Sequence, residues 1–158
     1  MPLTGYLKIE DIPGESQRAE HEDEIDVWGI QFDVRQMAAS PIGRGRARAR
    51  ADIDPVVVHK AVDAASPYLA EAVWKGKRFA EMTLAVRKDS GEAHLDYLVI
   101  TMENVVITAC GFGNEQAEGT DSTLYERIEL EFEKVKIHYS KLNDNGDGTE
   151  EHEVHLGG

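Results

Sequence analysis

Residues 126–139, ERIELEFEKVKIHY, change hydrophobic phase half-way along their length. The apolar positions are Ile128, Leu130 and Phe132 at even numbers, followed by Val135, Ile137 and Tyr139 at odd numbers. Because the side chains of a β-strand point alternately to its two faces, one face stays apolar through this change only if an extra residue is inserted. The stretch therefore predicts a strand with a β-bulge near Glu133 and Lys134, which bends and twists it as a closing barrel requires.

A second apolar run shows the same change of phase. Its members are Ile25 and Val27 at odd positions, then Ile30, Phe32 and Val34 at even positions. Trp28 and Gly29 lie between the two sets, and a glycine supplies the backbone freedom that bulges often use. Residues 24–34 are therefore predicted as one bent strand, and two bent strands predict a small curved sheet or barrel.

Length and cysteine usage predict one domain that folds without covalent staples. A chain of 158 residues buries roughly two thirds of its unfolded surface. The single cysteine, Cys110, excludes an intramolecular disulfide and fits a reducing compartment. No basic segment followed by an apolar run opens the chain, and no stretch approaches the roughly 20 apolar residues of a membrane span. We therefore expect a soluble protein that starts in the cytoplasm, has no cleavable signal peptide and does not insert into a membrane.

The formal charge of −13 argues against general binding of nucleic acid, because phosphates would be repelled over most of the surface. The charge is unevenly spread. Residues 10–26 carry eight acids against Arg18 alone, and the tail from Asn143 adds five acids without a lysine or arginine. Four arginines at alternate positions form a basic island, at Arg44, Arg46, Arg48 and Arg50. The acidic regions and this island attract each other.

Periodicity predicts seven or eight strands along the chain. The segments are 6–9, 24–34, 82–86, 95–102, 105–110 and 124–139, with an arm or strand at 46–53, an element entered at 56–58 and an edge segment at 152–156. The segments 82–86 and 95–102 form a hairpin through a turn at 88–92. Residues 1–142 are assigned to one barrel domain, and residues 143–158 to an acidic turn and tail that supplies an edge strand of the same domain.

A short helix is predicted between these strands. Ser66 is its expected N-cap, Pro67 takes the first helical position, and Gly76 ends it. Its apolar face consists of Leu69, Ala72 and Val73. About two turns do not form a stable helix alone, so this one is expected to pack on the sheet.

Five segments, taken in order, resemble the Hcp family (haemolysin-coregulated proteins), the tube proteins of type VI secretion. They are GYLKIEDIPGES (5–16), DEIDV (23–27), AASPYLAEAVWKGKRFAEMTLAVRK (64–88), YLVITMENVVIT (97–108) and ERIELEFEKVKIHY (126–139). The resemblance implies a compact β-barrel with one flanking helix, homohexameric rings that stack into a hollow tube, and small effectors carried in the lumen. It also implies a spike protein and a contractile sheath as partners, secretion out of the cell or into a target cell, no enzymatic activity and no cofactor.

The basic island is the best-defined candidate for an assembly role. In an extended segment its four arginines share one face, opposite small residues, and form a cationic comb. Family members resemble this chain in having a long glycine-containing loop here that helps rings stack. We expect the comb to meet acids of the adjoining ring, with Glu15, Glu22 and Asp23 as candidates. The alternative is a solvated loop, because exposed ion pairs contribute only about 0–1 kcal/mol each.

Other apparent motifs are weaker. Residues 143–148, NDNGDG, resemble a calcium loop but place Val154 where the closing glutamate should stand, which favours a hairpin turn. Gly111 and Gly113 begin a dinucleotide-like pattern that lacks its third glycine. The six histidines (21, 59, 94, 138, 152 and 155) show no metal-ligand spacing, and Cys110 is interpreted as a packing thiol. Four aromatic residues are expected to pack the core or seal subunit contacts: Trp28, Phe32, Trp74 and Phe79.

Two other functions remain open from the sequence. One is an effector or toxin built on a tube-like domain, although only 19 residues follow Tyr139, too few for a further domain of about 50 residues. The other is a monomeric ligand-binding β-barrel. The mass in solution distinguishes a monomer from a ring.

Overall fold

The computed structural model describes residues 4–36, 51–90, 93–114, 124–142 and 149–157, and within them the fold is mainly β with one helix. The elements are β1 Thr4–Ile9, β2 Ile25–Val27, β3 Gly29–Gln31, β4 Val34–Gln36, β5 Ala51–Ile53, β6 Val56–Ala61, α1 Ser66–Lys75, β7 Arg78–Ser90, β8 Ala93–Gly113, β9 Tyr125–Leu142 and β10 Thr149–Gly157. The predicted fold class is confirmed.

Eight of these strands form one antiparallel sheet, in the order β2-β1-β7-β8-β9-β6-β3, and β10 pairs with residues 134–142 of β9, beyond the part of β9 that pairs with β6. Its two end strands, β2 and β3, are separated along the chain by Trp28 alone. The sheet therefore curls until its ends meet at Trp28, whose backbone N–H donates to the carbonyl of His59 in β6 at 3.0 Å. This wrapping produces the barrel shape.

The predicted bent strand at 24–34 is three short strands. β2 pairs with β1, β3 pairs with β6, and β4 pairs with β5 in a separate two-stranded ribbon. The direction changes at Trp28 and Gly29, as expected, but by exchange of partner strands and not by a bulge. Glycine suits the crossing because a Cβ on Gly29 would lie 3.1 Å from the Cβ of His59.

The change of phase at 132–135 is real, but the bulge predicted at Glu133 and Lys134 is wrong. The β8–β9 register is the same on both sides of this level. Three adjacent strands exchange faces together, with inward residues Phe79 and Met82 in β7, Val105 and Met102 in β8, and Phe132 and Val135 in β9. No inserted residue is needed in β9, because all three strands exchange their inward and outward faces at the same level and stay in register. Asn104 in the middle strand adopts a φ of 56°, and its side-chain amide donates to the Glu133 carboxylate at 2.6 Å.

The bulges lie in β8. Its register against β7 shifts between Val86 and Arg87, which leaves Tyr97 as the extra residue. Its register against β9 shifts after Ile107, which leaves Thr108 as the extra residue. The strands predicted at 95–102 and 105–110 are therefore one bent strand, long enough to run the length of the sheet.

The helix is confirmed with one correction at its start. Ala65, not Ser66, is the N-cap, and it makes no capping side-chain bond. Gly76 ends the helix with a φ of 60°, the left-handed conformation that favours glycine. Leu69 and Ala72 are buried and Val73 packs against the core, as the apolar face predicts.

One hydrophobic cluster fills the space that the sheet and α1 enclose. Its fully buried members include Leu7, Ile25, Leu69, Leu84, Met102, Ile107 and Leu130. The interior is therefore a packed core, and the three principal grooves lie at the surface of the described residues. No helix in the described part of the chain is both long and apolar enough to cross a membrane.

Candidate assembly surfaces

The acidic segment between β1 and β2 has a defined backbone structure. Gly14 donates to the carbonyl of Asp23 at 2.7 Å, and Asp23 donates back to the carbonyl of Ser16 at 2.9 Å. A Cβ on Gly14 would lie 2.5 Å from the carbonyl oxygen of Glu24, so only glycine fits there. The segment is therefore a folded loop that holds its carboxylates in place.

His21 anchors this loop to the sheet. Its ring is buried, stacks on Tyr6 at 4.3 Å, and places Nδ1 2.9 Å from Glu24 Oε1 and Nε2 2.8 Å from Asp96 Oδ2. Each ring nitrogen therefore faces a carboxylate oxygen at hydrogen-bond distance. Arg87 donates to the second oxygen of Asp96 at 3.0 Å. The sequence indicated only a surface or packing histidine here, because Asp96 is 75 residues away.

The loop forms one wall of an open acidic groove of about 490 Å³. We call it the acidic groove. Its lining residues are Lys8, Ile9, Asp11, Pro13, Glu20, Glu22, Asp23 and Glu24, which gives five carboxylates against one lysine. Such a surplus of negative charge attracts a cationic partner. The backbone of Asp23 adopts a left-handed φ of 62°, and this conformation of the loop determines where its carboxylate lies.

The structure brings two of the three candidate acids together. Glu22 and Asp23 are exposed and line the acidic groove. Glu15 does not, because its Oε2 accepts a hydrogen bond from the backbone N–H of Ala64 at 3.1 Å, just before α1. The four arginines of the comb, Arg44, Arg46, Arg48 and Arg50, lie outside the described residues. Along the chain, this segment comes between Gln36 of β4 and Ala51 of β5. These two residues are paired in the two-stranded ribbon.

A second surface is an aromatic cleft of about 290 Å³ on the side of the sheet. Trp28 stacks on His59 at 5.3 Å and meets Tyr125 edge to face at 5.4 Å. Gly111 and Gly113 of β8 also line the cleft. Burial of the ring is the larger cause that lowers the pKa of His59, and the positive charge of Arg127 is the smaller one. The lowered pKa favours the neutral ring.

The four aromatic residues expected in the core or at subunit contacts divide between two environments. Phe79 is buried in the core, and Phe32 packs partly against it. Trp28 is 38% exposed at the cleft, and Trp74 is 87% exposed near the end of α1. Trp74 is therefore not part of the core, and for this residue the predicted subunit contact stays a prediction.

Comparison with known proteins decides the family. The profile described as "Type VI secretion system effector, Hcp" matches residues 6–139, most of the chain. The chain belongs to the Hcp family. It is 28% identical to protein hcp1 of Pseudomonas aeruginosa over 146 residues, 92% of this chain and 88% of that protein. The resemblance found in the sequence is thereby confirmed, and Hcp is the tube protein of type VI secretion.

Solved structures support the same fold for this Hcp chain. A structure of a type six secretion system protein matches with a TM-score of 0.86 at 21% identity, covering 98% of this chain and 95% of that chain. The crystal structure of Hcp1 from Salmonella typhimurium matches with a TM-score of 0.75 at 25% identity, covering 97% and 94%. Similarity of this extent spans the whole barrel.

This Hcp chain also holds a buried ionic cluster between the sheet and the start of α1. Lys60 and Glu126 are fully buried and paired, and Lys60 also donates to Asp63 at 2.9 Å and Ser66 at 3.2 Å. The Ser66 hydroxyl donates to Glu126 at 2.8 Å and accepts from the N–H of Asp63 at 2.9 Å. The serine predicted as a helix cap therefore serves this cluster instead.

Cys110 lies beside this cluster and is half-buried. Its thiol donates to Glu126 Oε2 at 3.4 Å. Burial, followed by the negative charge of Glu126, raises the pKa of Cys110 to about 12. A thiol of this pKa is almost wholly protonated near neutral pH, which makes it a poor nucleophile. The environment agrees with the interpretation of Cys110 as a packing thiol.

Three further histidines lie on the β9–β10 hairpin, beside carboxylates or an aromatic ring. His138 lies 3.0 Å from Glu153, His155 lies 3.1 Å from the other oxygen of Glu153, and His152 stacks on Tyr139. In the described part of the chain no group of histidine, cysteine and carboxylate side chains could hold a metal ion. The calcium-like residues 143–148 lie outside the described residues.

Proposed function

We propose that copies of this chain join head to tail into hexameric rings, and that the rings stack into the hollow inner tube of type VI secretion. A spike protein at the tip and a sheath around the tube are the partners that the family implies, and small effectors travel in the lumen. The protein is located in the cytoplasm before secretion and is then exported. The match of residues 6–139 to the Hcp family carries this proposal.

The packed core also favours a structural function over ligand binding. Side chains of the hydrophobic cluster occupy the barrel, so a small molecule would have to displace them. The surface, by contrast, carries an acidic groove, and the sequence of the same chain contains an arginine-rich segment. Two unlike complementary surfaces are what a head-to-tail assembly of identical subunits requires.

For ring stacking, the proposed contact joins the arginine comb of one ring to the acidic groove of the next. Glu22 and Asp23 are the acids that the groove presents, and Glu15 contributes less because it is bonded to Ala64. Arginine suits this contact because its planar guanidinium forms paired bonds to carboxylates. Several such pairs, partly desolvated, stabilise more than isolated surface pairs do.

Native mass spectrometry and electron microscopy of the purified protein test the ring. We expect particles of about six times the 17.6 kDa protomer, seen as annuli with a central hole. A protein that stays monomeric at every concentration and in every buffer would refute the ring and favour a ligand-binding barrel.

Charge reversal tests the stacking contact. The double variant Arg46→Glu/Arg48→Glu should shorten tubes while leaving single rings intact. The matched control is Lys134→Glu/Lys136→Glu, which makes the same charge change at the same spacing on β9. Adding Glu22→Arg to the first variant should restore part of the tube length. Asp23 is left unchanged because its left-handed backbone disfavours arginine. Equal tube lengths in wild type and Arg46→Glu/Arg48→Glu would refute the contact.

A further inference from the structure

Two glycines in β8 are not required by any contact among the described residues. Gly111 and Gly113 lie in a strand, where glycine is less stable than alanine by roughly 0.5–1 kcal/mol. Among the described residues, a Cβ built on either glycine would meet nothing within 4 Å, and neither backbone adopts the left-handed conformation. Within this part of the chain, neither space nor backbone geometry therefore requires glycine. A glycine inside a strand marks a bulge, a tight bend or a place where another molecule approaches the backbone closely, and the open cleft beside these two favours the third.

The surroundings of these glycines indicate what that molecule presents. Trp28, His59 and Tyr125 line the cleft beside them, and Phe112 between them is 52% exposed. Aromatic rings pack well edge to face or offset against one another. The cleft is therefore suited to an inserted aromatic side chain.

The same chain carries such a side chain outside the cleft. Trp74 is 87% exposed, the highest value among the exposed large apolar residues in the described part of the chain. It is not among the residues that line the cleft of its own protomer. A second copy of the chain can supply it.

Charge supports the same pairing. Three cations follow Trp74 within four residues, at Lys75, Lys77 and Arg78. The segment that joins Gly113 to Leu124 carries Glu115, Glu118 and Asp121 without a base, although its structure lies outside the described residues. The cations that follow Trp74 in the sequence and the acids between β8 and β9 in the sequence have opposite charge, and opposite charges attract.

We infer that Trp74 of one protomer inserts into the glycine-floored cleft of the next protomer in the ring. This contact rests on the proposed ring and specifies the residues that close it. The floor is Gly111 and Gly113, the wall is Trp28, His59 and Tyr125, and the inserted group is the indole of Trp74. Because knob and cleft belong to different surfaces of one chain, the contact is head to tail, and its repetition generates a ring when the rotation between neighbours closes.

Two substitutions test the contact from its two sides. Trp74→Ala removes the knob, and Gly113→Val fills the cleft, since a Cβ on Gly113 would meet none of the described residues within 4 Å. Each should raise the protein concentration at which rings dissociate by about tenfold or more, as the loss of a central tryptophan anchor does. Tyr68→Ala, which removes the other exposed aromatic of α1, is the matched control and should leave that concentration unchanged.

Thermal unfolding of each variant at a concentration where it is monomeric establishes that the fold is intact. Native mass spectrometry over a dilution series gives the ring fraction. If wild type forms rings and both variants form them equally well, this contact is refuted while the ring proposal stands. If wild type forms no rings, the ring proposal itself fails.

Crosslinking identifies the neighbours directly. In a Cys110→Ala background, Trp74→Cys combined with Gly113→Cys should give a ladder of covalent oligomers with a short bis-maleimide reagent. Tyr68→Cys combined with Gly113→Cys is the control and should give far less product. A ladder of equal intensity in both, or no ladder in rings that native mass spectrometry shows to be intact, would contradict the proposed contact.

Discussion

At the scale of single residues, the buried pair of Lys60 and Glu126 is the most consequential arrangement that the sequence analysis did not identify. The two residues are direct partners across β6 and β9. The alternation of side chains along each strand indicated that both residues face inward. Lys60 is in phase with the core residues Val56 and Val58, and Glu126 is in phase with the core residues Ile128 and Leu130. Both charges therefore lie on the inward face. A charged residue in phase with a core stripe predicts a buried partner across the sheet.

Removing one member of this pair should destabilise the protomer strongly. Glu126→Leu leaves the Lys60 ammonium buried beside Asp63 and Ser66. We expect a loss of about 3–5 kcal/mol in the free energy of unfolding, measured by urea denaturation of the monomer. The control, Glu129→Leu, breaks a pair with Arg127 that is partly exposed and should cost about 1 kcal/mol or less. Similar losses in both variants would contradict the assignment.

His138 should titrate above its ordinary value. The largest cause is the hydrogen bond with Glu153, which raises the pKa of His138 above 6.5. The same bond lowers the pKa of Glu153 below 4.5. The raised value means that the stabilising contribution of His138 is complete below pH 6.5 and disappears as pH rises through the folded-state pKa. For Glu153 the contribution is complete above pH 4.5 and disappears as pH falls through its lowered pKa.

An NMR titration of the His138 ring protons measures this effect. Glu153→Gln should lower the pKa of His138 towards 6.5, because the main acceptor loses its charge. Glu150→Gln is the control, since Glu150 lies 3.2 Å from His152 and is not among the partners of His138. An unchanged titration of His138 in the Glu153→Gln variant would exclude this bond in solution.

At the scale of elements, the three central strands turn together at the level of Asn104. Each strand seen alone predicts a bulge, because its apolar residues change parity. Pairing removes the need for one, since β7, β8 and β9 change parity at the same level. Sequence periodicity therefore located the bend and missed its cause, which is a property of three strands in register.

Asn104 is the residue on which this turn depends. Asn104→Val should destabilise the protein by about 1–3 kcal/mol, because a β-branched residue is strained at a φ of 56°. Asn104→Gly keeps the conformation and should cost less, the remaining loss being the bond to Glu133. Thr101→Val, on the same strand but without a positive φ, is the control. Urea denaturation compares the three variants, and a glycine variant as unstable as the valine variant would argue against backbone strain.

At the scale of the whole molecule, the two proposed contacts should differ in their sensitivity to salt. Stacking through arginines and carboxylates is screened as the Debye length falls from about 10 Å at 0.1 M to about 3 Å at 1 M ionic strength. The Trp74 contact buries apolar surface and is retained. We therefore expect tubes to shorten to single rings in high salt, as measured by electron microscopy and sedimentation. Rings that separate into protomers while any remaining tubes keep their length would reverse this assignment.

The sequence by itself determined the family, the mainly β fold, the helix with its Gly76 end, and the position of both bends, because these depend on local periodicity and on motifs read in order. Tertiary structure alone decided which strands pair across the Trp28 crossing, that His21 and Asp96 meet, and that Lys60 and Glu126 bury each other. Lys60 and Glu126 are 66 positions apart in the sequence, and His21 and Asp96 are 75 positions apart. Their formation depends on how the sheet wraps, and no local pattern of side chains encodes that wrapping.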